Sequence, residues 1–417
     1  MQVKVGKSEM EGNFQAPPSK SVTHRALVCA GLADGRSTLR SPLLCDDTRA
    51  TIEGLRRLGV VLDVKEDELI EEGGRLKRPQ REIFCGASGT TLRFLTAVCC
   101  LVGEECKLTG YKSLMERPIK PLIDALKHLG VECYQKNMTL SVKGKPKCGE
   151  VDVIGDVSSQ FVSALLLIAP LIEHGATIKS VTEVRSEPYV FLTLNVQKKF
   201  GVEVESFGDL RFEVPSQRYR PTTFKVEGDW SSASYFLVAG AITGKVTVSG
   251  LDLKSIQADR VIIDVMKMME IRVETQGETI TVRKSVPKPI KFDVSDCPDL
   301  FLPLCVLCAK ADGVSEITGI GRLKFKESNR VKTMVKCLEK MRIKTIIEDG
   351  SLKIFGSKPI GAKINPFNDH RVAMASTILG LTAEGQTVIT NAECVNKSFP
   401  NFWRAIKGLN TNLEEVT

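Results

Sequence analysis

Two kinds of helix-forming segment alternate along the chain with short strand-forming ones. The first kind opens on Ser, Asp or Asn, runs small and apolar on nearly every face, and stops at Gly. It occurs as SKSVTHRALVCAGLADG (19–35), SGTTLRFLTAVCCLVG (88–103), SSQFVSALLLIAPLIEHG (158–175), DWSSASYFLVAGAITG (229–244), DCPDLFLPLCVLCAKADG (296–313) and NDHRVAMASTILGLTAEG (368–385). The opening residues are expected to act as N-caps, and the closing Gly to supply the left-handed residue that ends a helix. Apolar all round, these helices are predicted to be buried. Each is followed by a strand pattern (STLRSP, CKLTGY, ATIKSV, VTVSGL, SEITGI, TVITNA), a charged loop and a second, amphipathic helix such as RPIKPLIDALKHLG (117–130) or ESNRVKTMVKCLEKM (327–341). Most units then return on a further strand, VEVESF or RVETQG for example.

The strand starts near Thr38, Lys107, Thr177, Thr247, Glu316 and Thr387 recur at intervals of roughly 70 residues. Six βαβ-type units of equal size predict a pseudo-symmetric, two-domain α/β fold with sheets packed outside buried parallel helices. Three units fall to each half. One domain is expected over 18–225, the other over 226–417 together with 1–17, because the strand Gln2–Val5 suits the second half and Pro17-Pro18 makes a stiff crossover. A cleft between the halves is the expected substrate site.

Parallel buried helices that start at one level would aim several partly positive N-termini, with unsatisfied N–H groups, at the same place, and that suits an anion. Cations recur at these starts and in the charged loops: Lys20 and Arg25 beside Ser21, then Arg93, Arg117, Lys326, Arg330, His370, Arg371 and Lys397. At any one start, a Ser or Asp is ordinarily a cap and a cation an ordinary surface charge. A cation in a first turn opposes the helix dipole, so its recurrence points to bound anions as the compensation. Two acids stand apart: Asp299, expected in the first turn of the DCPDLFLPL helix, and Glu327, between Lys326 and Arg330. Carboxylates in such different settings can divide base and acid work.

Composition narrows the field. With 417 residues, two or three domains are expected; 42% apolar and 26% charged residues make a globular chain with ample core. No 18-residue apolar run is present to cross a bilayer, and MQVKVGKSEMEG lacks the layout of a signal or transit peptide, so a cytoplasmic location is expected. The 13 cysteines are odd in number and sit in apolar stretches, which reads as reduced thiols. A charge of +8 with no long basic block and only 6% aromatics favours anionic metabolites over nucleic acid. VGKS (5–8) lacks the upstream Gly of a P-loop, GIGRLK (319–324) lacks the third Gly of a dinucleotide site, Cys305-x-x-Cys308 has no second pair for zinc, and the glycosylation triplet at Asn137 has no secretory route.

Taken in order, APPSKSVTHRAL, CGASGTTLRF, MERPIKPLIDAL, DVSSQFVSALL, EGDWSSASYF, LKFKESNR, NDHRVAMA and NKSFPNFW resemble segments of the 5-enolpyruvylshikimate-3-phosphate synthase family, from Gly12 to about Trp403. The resemblance implies an inside-out α/β barrel of six βαβαββ units. It also implies transfer of the enolpyruvyl group of phosphoenolpyruvate to the 5-hydroxyl of shikimate 3-phosphate, through a tetrahedral intermediate, with release of phosphate and no metal or organic cofactor. Carried over by motif, shikimate 3-phosphate would meet Lys20, Ser21, Arg25, Ser158, Ser159, Gln160, Ser186, Tyr189, Asp299, Arg322 and Lys326. Phosphoenolpyruvate would meet Lys20, Gly89, Arg117, Gln160, Arg330, His370, Arg371 and Lys397. Asp299 would take the hydroxyl proton, Glu327 would serve the enol carbon and Lys20 the departing phosphate. The chain departs from the family at Ala87, usually Asn, at Phe94, often Pro, and at Arg322, Asn in some members. A monomer that binds neither nucleic acid nor membrane is expected.

Two other readings compete. UDP-N-acetylglucosamine enolpyruvyl transferases share fold and donor, but carry Lys-Asn where this chain has Lys20-Ser21, and a catalytic Cys in a Gly-rich loop that has no counterpart here. An RNA-end-processing or nucleic-acid-binding protein on the related repeat would show a continuous basic stripe. Here the cations are scattered over helix starts.

Overall fold

The computed structural model describes residues 1–147, 149–208 and 211–416. By its contacts the chain forms two compact units, Pro18–Glu227 and Met1–Pro17 with Gly228–Thr417. Each unit has its own hydrophobic core.

The first unit is built on three core helices, α1 (Lys20–Leu32), α2 (Gly89–Cys99) and α3 (Ser159–Ile168); the second on α4 (Trp230–Thr243), α5 (Phe301–Ala309) and α6 (His370–Gly380). All of α4, α5 and α6 is buried, as is nearly all of the other three. Every fully buried Leu, Val or Phe contributes about 1.5–3 kcal/mol, so the apolar face these helices present on all sides is what holds each unit together. Five of the six begin at a side-chain cap: Ser19, Ser88, Ser158, Asp229 and Asp369 each accept a backbone N–H. Leu300, before α5, has no such bond.

Six four-stranded sheets surround the helices, and all are assembled alike. The strand after the core helix lies second in its sheet, pairs parallel with the first strand and antiparallel with the third. For example, Gly35–Arg40 pairs with Thr223–Lys225 and Glu68–Gly73, and Lys245–Ser249 with Glu11–Gln15 and Thr279–Arg283. Strands alternate exposed and buried residues, as in Glu150–Val153, which puts one face on the helices and one outward. The fold is therefore a pair of pseudo-symmetric inside-out α/β barrels made of βαβαββ repeats. Strands distant in sequence close each unit. Thr223–Lys225 returns to the first sheet of its unit, and Gln2–Val5 is inserted between Thr387–Thr390 and Leu413–Val416.

Two expectations about helix ends need correction. Five of the six closing glycines do not end their helices, and the one that does, Gly244, is not left-handed. The C-caps are Ala33, Cys100, Ala169, Gly244, Lys310 and Leu381, and Gly244 is at φ −165°, outside the left-handed region. The other five glycines have positive φ but stand further on, mostly at the entry to the next strand. Close approach explains two of the six: a β-carbon on Gly175 would lie 2.2 Å from the Val214 carbonyl oxygen, and one on Gly244 2.4 Å from that of Met10. Asp299 is also not in a first turn, because its helix starts at Phe301 after the Cys297-Pro298 turn.

One acid is buried with no partner. Glu71 projects from Glu68–Gly73 towards α1, where a β-carbon on Gly31 would lie 2.9 Å from its Oε1. Neither carboxyl oxygen is hydrogen bonded, and burial raises its pKa well above the usual range. A raised folded-state pKa means that stability present below the unfolded value is lost as pH rises towards the folded one. Glu71→Gln is expected to remove that slope and to raise stability at pH 8 by about 1–3 kcal/mol, with little change at pH 5, as read by urea unfolding.

Candidate active site

In the unit Pro18–Glu227, the predicted residues collect where α1, α2 and α3 begin. Lys20, the first residue of α1, places Nζ 2.8 Å from Oδ2 of the buried Asp47, which lies in the first turn of helix Asp46–Arg57. Arg25, one turn on, is buried. Its Nε donates to Thr193 Oγ1 at 2.8 Å, Nη1 to the Ser21 carbonyl and Nη2 to the Tyr189 carbonyl, both at 2.9 Å. Burial lowers its pKa to about 10, so it stays charged at neutral pH. Phe94, one of the departures from the family pattern, lies beneath this guanidinium at 5.4 Å. It supplies a cation–π face in a dry setting.

Gly89 opens α2 beneath two arginines: a β-carbon there would lie 2.8 Å from Arg93 Nη1 and 3.5 Å from Arg117 Nη1. Arg93 Nη1 donates to Gln160 Oε1 at 2.5 Å, and Gln160 Nε2 to Thr90 Oγ1 at 2.9 Å. The first turns of α2 and α3 are thus tied together by Arg93, for which the resemblance gave no role. Ser158 caps α3, Ser159 is its first residue, and Ser186 is buried with φ +58°, a conformation unusual for a residue with a side chain.

In the unit containing Gly228–Thr417, charges interlock at the starts of α5 and α6. Asp299 Oδ1 is 2.7 Å from Arg330 Nη1 and 3.7 Å from Lys326 Nζ, while Oδ2 is 2.9 Å from Arg371 Nη2. Arg330 is 2% exposed and serves three carboxylates: Asp299, Glu327 through Nη2 at 2.7 Å, and the α6 cap Asp369 through Nε at 3.0 Å. Glu327 Oε1 lies 3.1 Å from Lys397 Nζ. Burial pushes the Asp299 carboxyl up, but Arg371, Lys326 and Arg330 together overcome it and hold the group ionised, well below the carboxylate range. Burial lowers Lys326 to about 8, only partly opposed by Asp299. His370 is fully buried in the first turn of α6. Arg322 turns to the Ser295 carbonyl at 2.6 Å.

Most cations at the helix starts therefore already have counter-charges from the chain. Asp47 balances Lys20; Asp299 balances Arg371; Asp299, Glu327 and Asp369 balance Arg330. The expectation that bound anions alone offset them is corrected in this respect. Asp47 and Asp369 went unnoticed in the sequence because an acid at a helix start reads as a cap, and Asp369 is one. A further acid, Asp259, is buried with its Oδ2 accepting from Ser231. Burial, with the charge of Asp299 behind it, raises it to about 7. Among the described residues no cluster of His, Cys, Asp or Glu has the makings of a metal site.

Densely paired cations and carboxylates at the N-terminal ends of the buried core helices suit a protein that handles small, multiply charged anions. A sequence model of EPSP synthase (3-phosphoshikimate 1-carboxyvinyltransferase) matches residues 5–406. The 3-phosphoshikimate 1-carboxyvinyltransferase of Dehalococcoides mccartyi is 40% identical over 98% of each chain. That of Thermococcus kodakarensis is 42% identical over 96% of this chain and 98% of its own. The structure of the Acinetobacter baumannii EPSP synthase superposes with a TM-score of 0.84 at 26% identity, covering 99% of both chains. The chain belongs to the EPSP synthase family, whose reaction moves the enolpyruvyl group of phosphoenolpyruvate to shikimate 3-phosphate.

Proposed function

We propose that shikimate 3-phosphate is held by Lys20, Ser21, Arg25, Ser158, Ser159, Gln160, Ser186, Tyr189, Asp299, Arg322 and Lys326. Phosphoenolpyruvate then meets Lys20, Gly89, Arg117, Gln160, Arg330, His370, Arg371 and Lys397. The observation that carries this reading is the Asp299 carboxylate, kept ionised between Arg330, Arg371 and Lys326 in a chain of this family.

An acid held so far down is a weak base until its cations are drawn off. Phosphoenolpyruvate brings anionic oxygens for which Arg330 and Arg371 would compete with Asp299. Weakening those two ion pairs raises the proton affinity of Asp299 as the donor arrives, so that it takes the 5-hydroxyl proton while the oxygen bonds to the enol carbon. Glu327 delivers a proton to the methylene carbon and recovers one during elimination. Lys20, released from Asp47, meets the departing phosphate, and the guanidinium groups carry the charge of the intermediate.

The decisive experiment is phosphate release from phosphoenolpyruvate. It is expected to require shikimate 3-phosphate and to ignore UDP-N-acetylglucosamine; the opposite dependence would sink the assignment. A second prediction rests on Lys326. With its ammonium near pKa 8 in the free protein, an anion binds its protonated form better. Shikimate 3-phosphate affinity is expected to hold at pH 7 and to fall above pH 8, by at most about tenfold per pH unit. Lys326→Arg should flatten that fall in a calorimetric titration.

No helix among the described residues is long and apolar enough to cross a membrane. A cytoplasmic monomer that leaves nucleic acid and lipid alone belongs to the same proposal, and sedimentation of the pure chain tests the monomer.

A further inference from the structure

The C-terminal ends of the core helices carry a feature that the reaction does not use. In all six sheets a cation follows the third strand. Arg75, Lys145 and Arg218 follow Glu68–Gly73, Thr139–Gly144 and Arg211–Val214 in one unit; Lys284, Lys358 and Lys7 follow Thr279–Arg283, Ser351–Phe355 and Gln2–Val5 in the other. Each trio lines a cavity beneath its three core helices. Three cations against three helix C-termini is the ordinary compensation of the dipoles.

The second unit goes beyond that pattern. The residue capping α5 is Lys310, whereas the equivalent caps of α1, α2 and α3 are Ala33, Cys100 and Ala169. Lys310 joins Lys7, Lys284 and Lys358 in a cavity of about 330 Å³, and with Lys284 and Lys358 it also lines an adjoining one of about 390 Å³. Lys284 is engaged by Glu9 at 2.9 Å; Lys7, Lys310 and Lys358 have no ion pair or side-chain hydrogen bond among the described residues. Glu9 and Glu384 line the first cavity and Asp312 the second; the charge of Lys7 also acts on Glu9, whereas Glu384 and Asp312 pair with none of these lysines. Burial disfavours the Lys310 charge, and Lys7, Lys358 and Lys284 each add to that by repulsion. A fourth lysine beyond what the dipoles require, crowded against three others, is relieved by an anion.

We propose that this cavity, at the C-terminal ends of α4, α5 and α6, binds a small polyanion of the phosphate-ester or polyphosphate class through Lys7, Lys284, Lys310 and Lys358. Its volume suits a small metabolite. The site lies at the opposite end of the helices from Asp299 and Arg371, about 15–20 Å away at 1.5 Å per residue, and is distinct from the catalytic cluster of the same unit.

Residue-by-residue acetylation of the full chain, read by peptide mass spectrometry, tests this with inorganic pyrophosphate as the probe and potassium chloride of equal ionic strength as control. At ten times its Kd, pyrophosphate is expected to slow modification of Lys310 about tenfold, and chloride is not. Lys358→Gln should abolish that protection at the same concentration while enolpyruvyl transfer continues unchanged. Equal Lys310 reactivity in pyrophosphate and chloride, or protection undiminished in Lys358→Gln, would overturn the assignment. Because protection is read at each lysine separately, pyrophosphate bound among Lys20, Lys326 and Lys397 does not confuse the result.

Discussion

Asp299→Ala is expected to reduce kcat on the order of a thousandfold while the KM for phosphoenolpyruvate stays level or falls. The reason is the geometry around the carboxylate. Removing it deletes the proposed base and at the same time frees Arg330 Nη1 and Arg371 Nη2, each within 3 Å of it, to bind an anionic donor. Asp299→Asn keeps shape and an acceptor oxygen but not basicity, and should lose as much turnover. A purely structural role would instead let Asn rescue Ala. Steady-state kinetics with both substrates separates these outcomes, and a kcat within tenfold of the parent would remove Asp299 from the chemistry.

The second large effect is expected at Arg330. It is buried and engages Asp299, Glu327 and Asp369 through three different nitrogens. Replacing it by Met strips Asp369 of its ion pair and leaves Asp299 with Arg371 and Lys326 and Glu327 with Lys397 alone, and breaking a buried pair by removing one partner costs about 3–5 kcal/mol. Urea unfolding at pH 7 should register that loss, together with abolished turnover. The three acids then favour their protonated forms, so the deficit should shrink as pH is lowered. Arg330→Lys is expected to recover little, since one ammonium cannot reach three carboxylates in the planar fork that Arg supplies. A loss below about 1 kcal/mol would mean that solvent screens the network far more than its burial implies.

The core helices were legible from residue pattern because an all-round apolar segment with a polar opening has few other solutions, and four of six caps fell where the pattern put them, with α6 capped by Asp369, one residue past the opening Asn368. The larger departure, at α5, is instructive. Asp296 looks like a cap, yet Pro298 and the turn around it delay the helix to Phe301, leaving Asp299 just outside and free to face Arg330. The closing glycines were misread for a related reason: sequence shows that a glycine is needed but not whether a helix end or a tight strand entry needs it. Cations of the site were visible as recurrent violations of the helix dipole. Their counter-ions were not, since Asp47 is separated from Lys20 by 27 residues and Asp369 from Arg330 by 39, and pairing at such range is set by the assembled repeats.

The insertion of Gln2–Val5 between Thr387–Thr390 and Leu413–Val416 has a consequence for how the chain emerges from the ribosome. Residues 18–227 are contiguous and can collapse as soon as they have cleared the exit tunnel. Gln2–Val5, made ahead of them, must wait, bare-edged, until Thr387–Thr390 and Leu413–Val416 are translated, because these are both its neighbours. Nascent chains stalled before Thr387 should therefore carry one finished barrel and one open one, with the open barrel the natural client of chaperones.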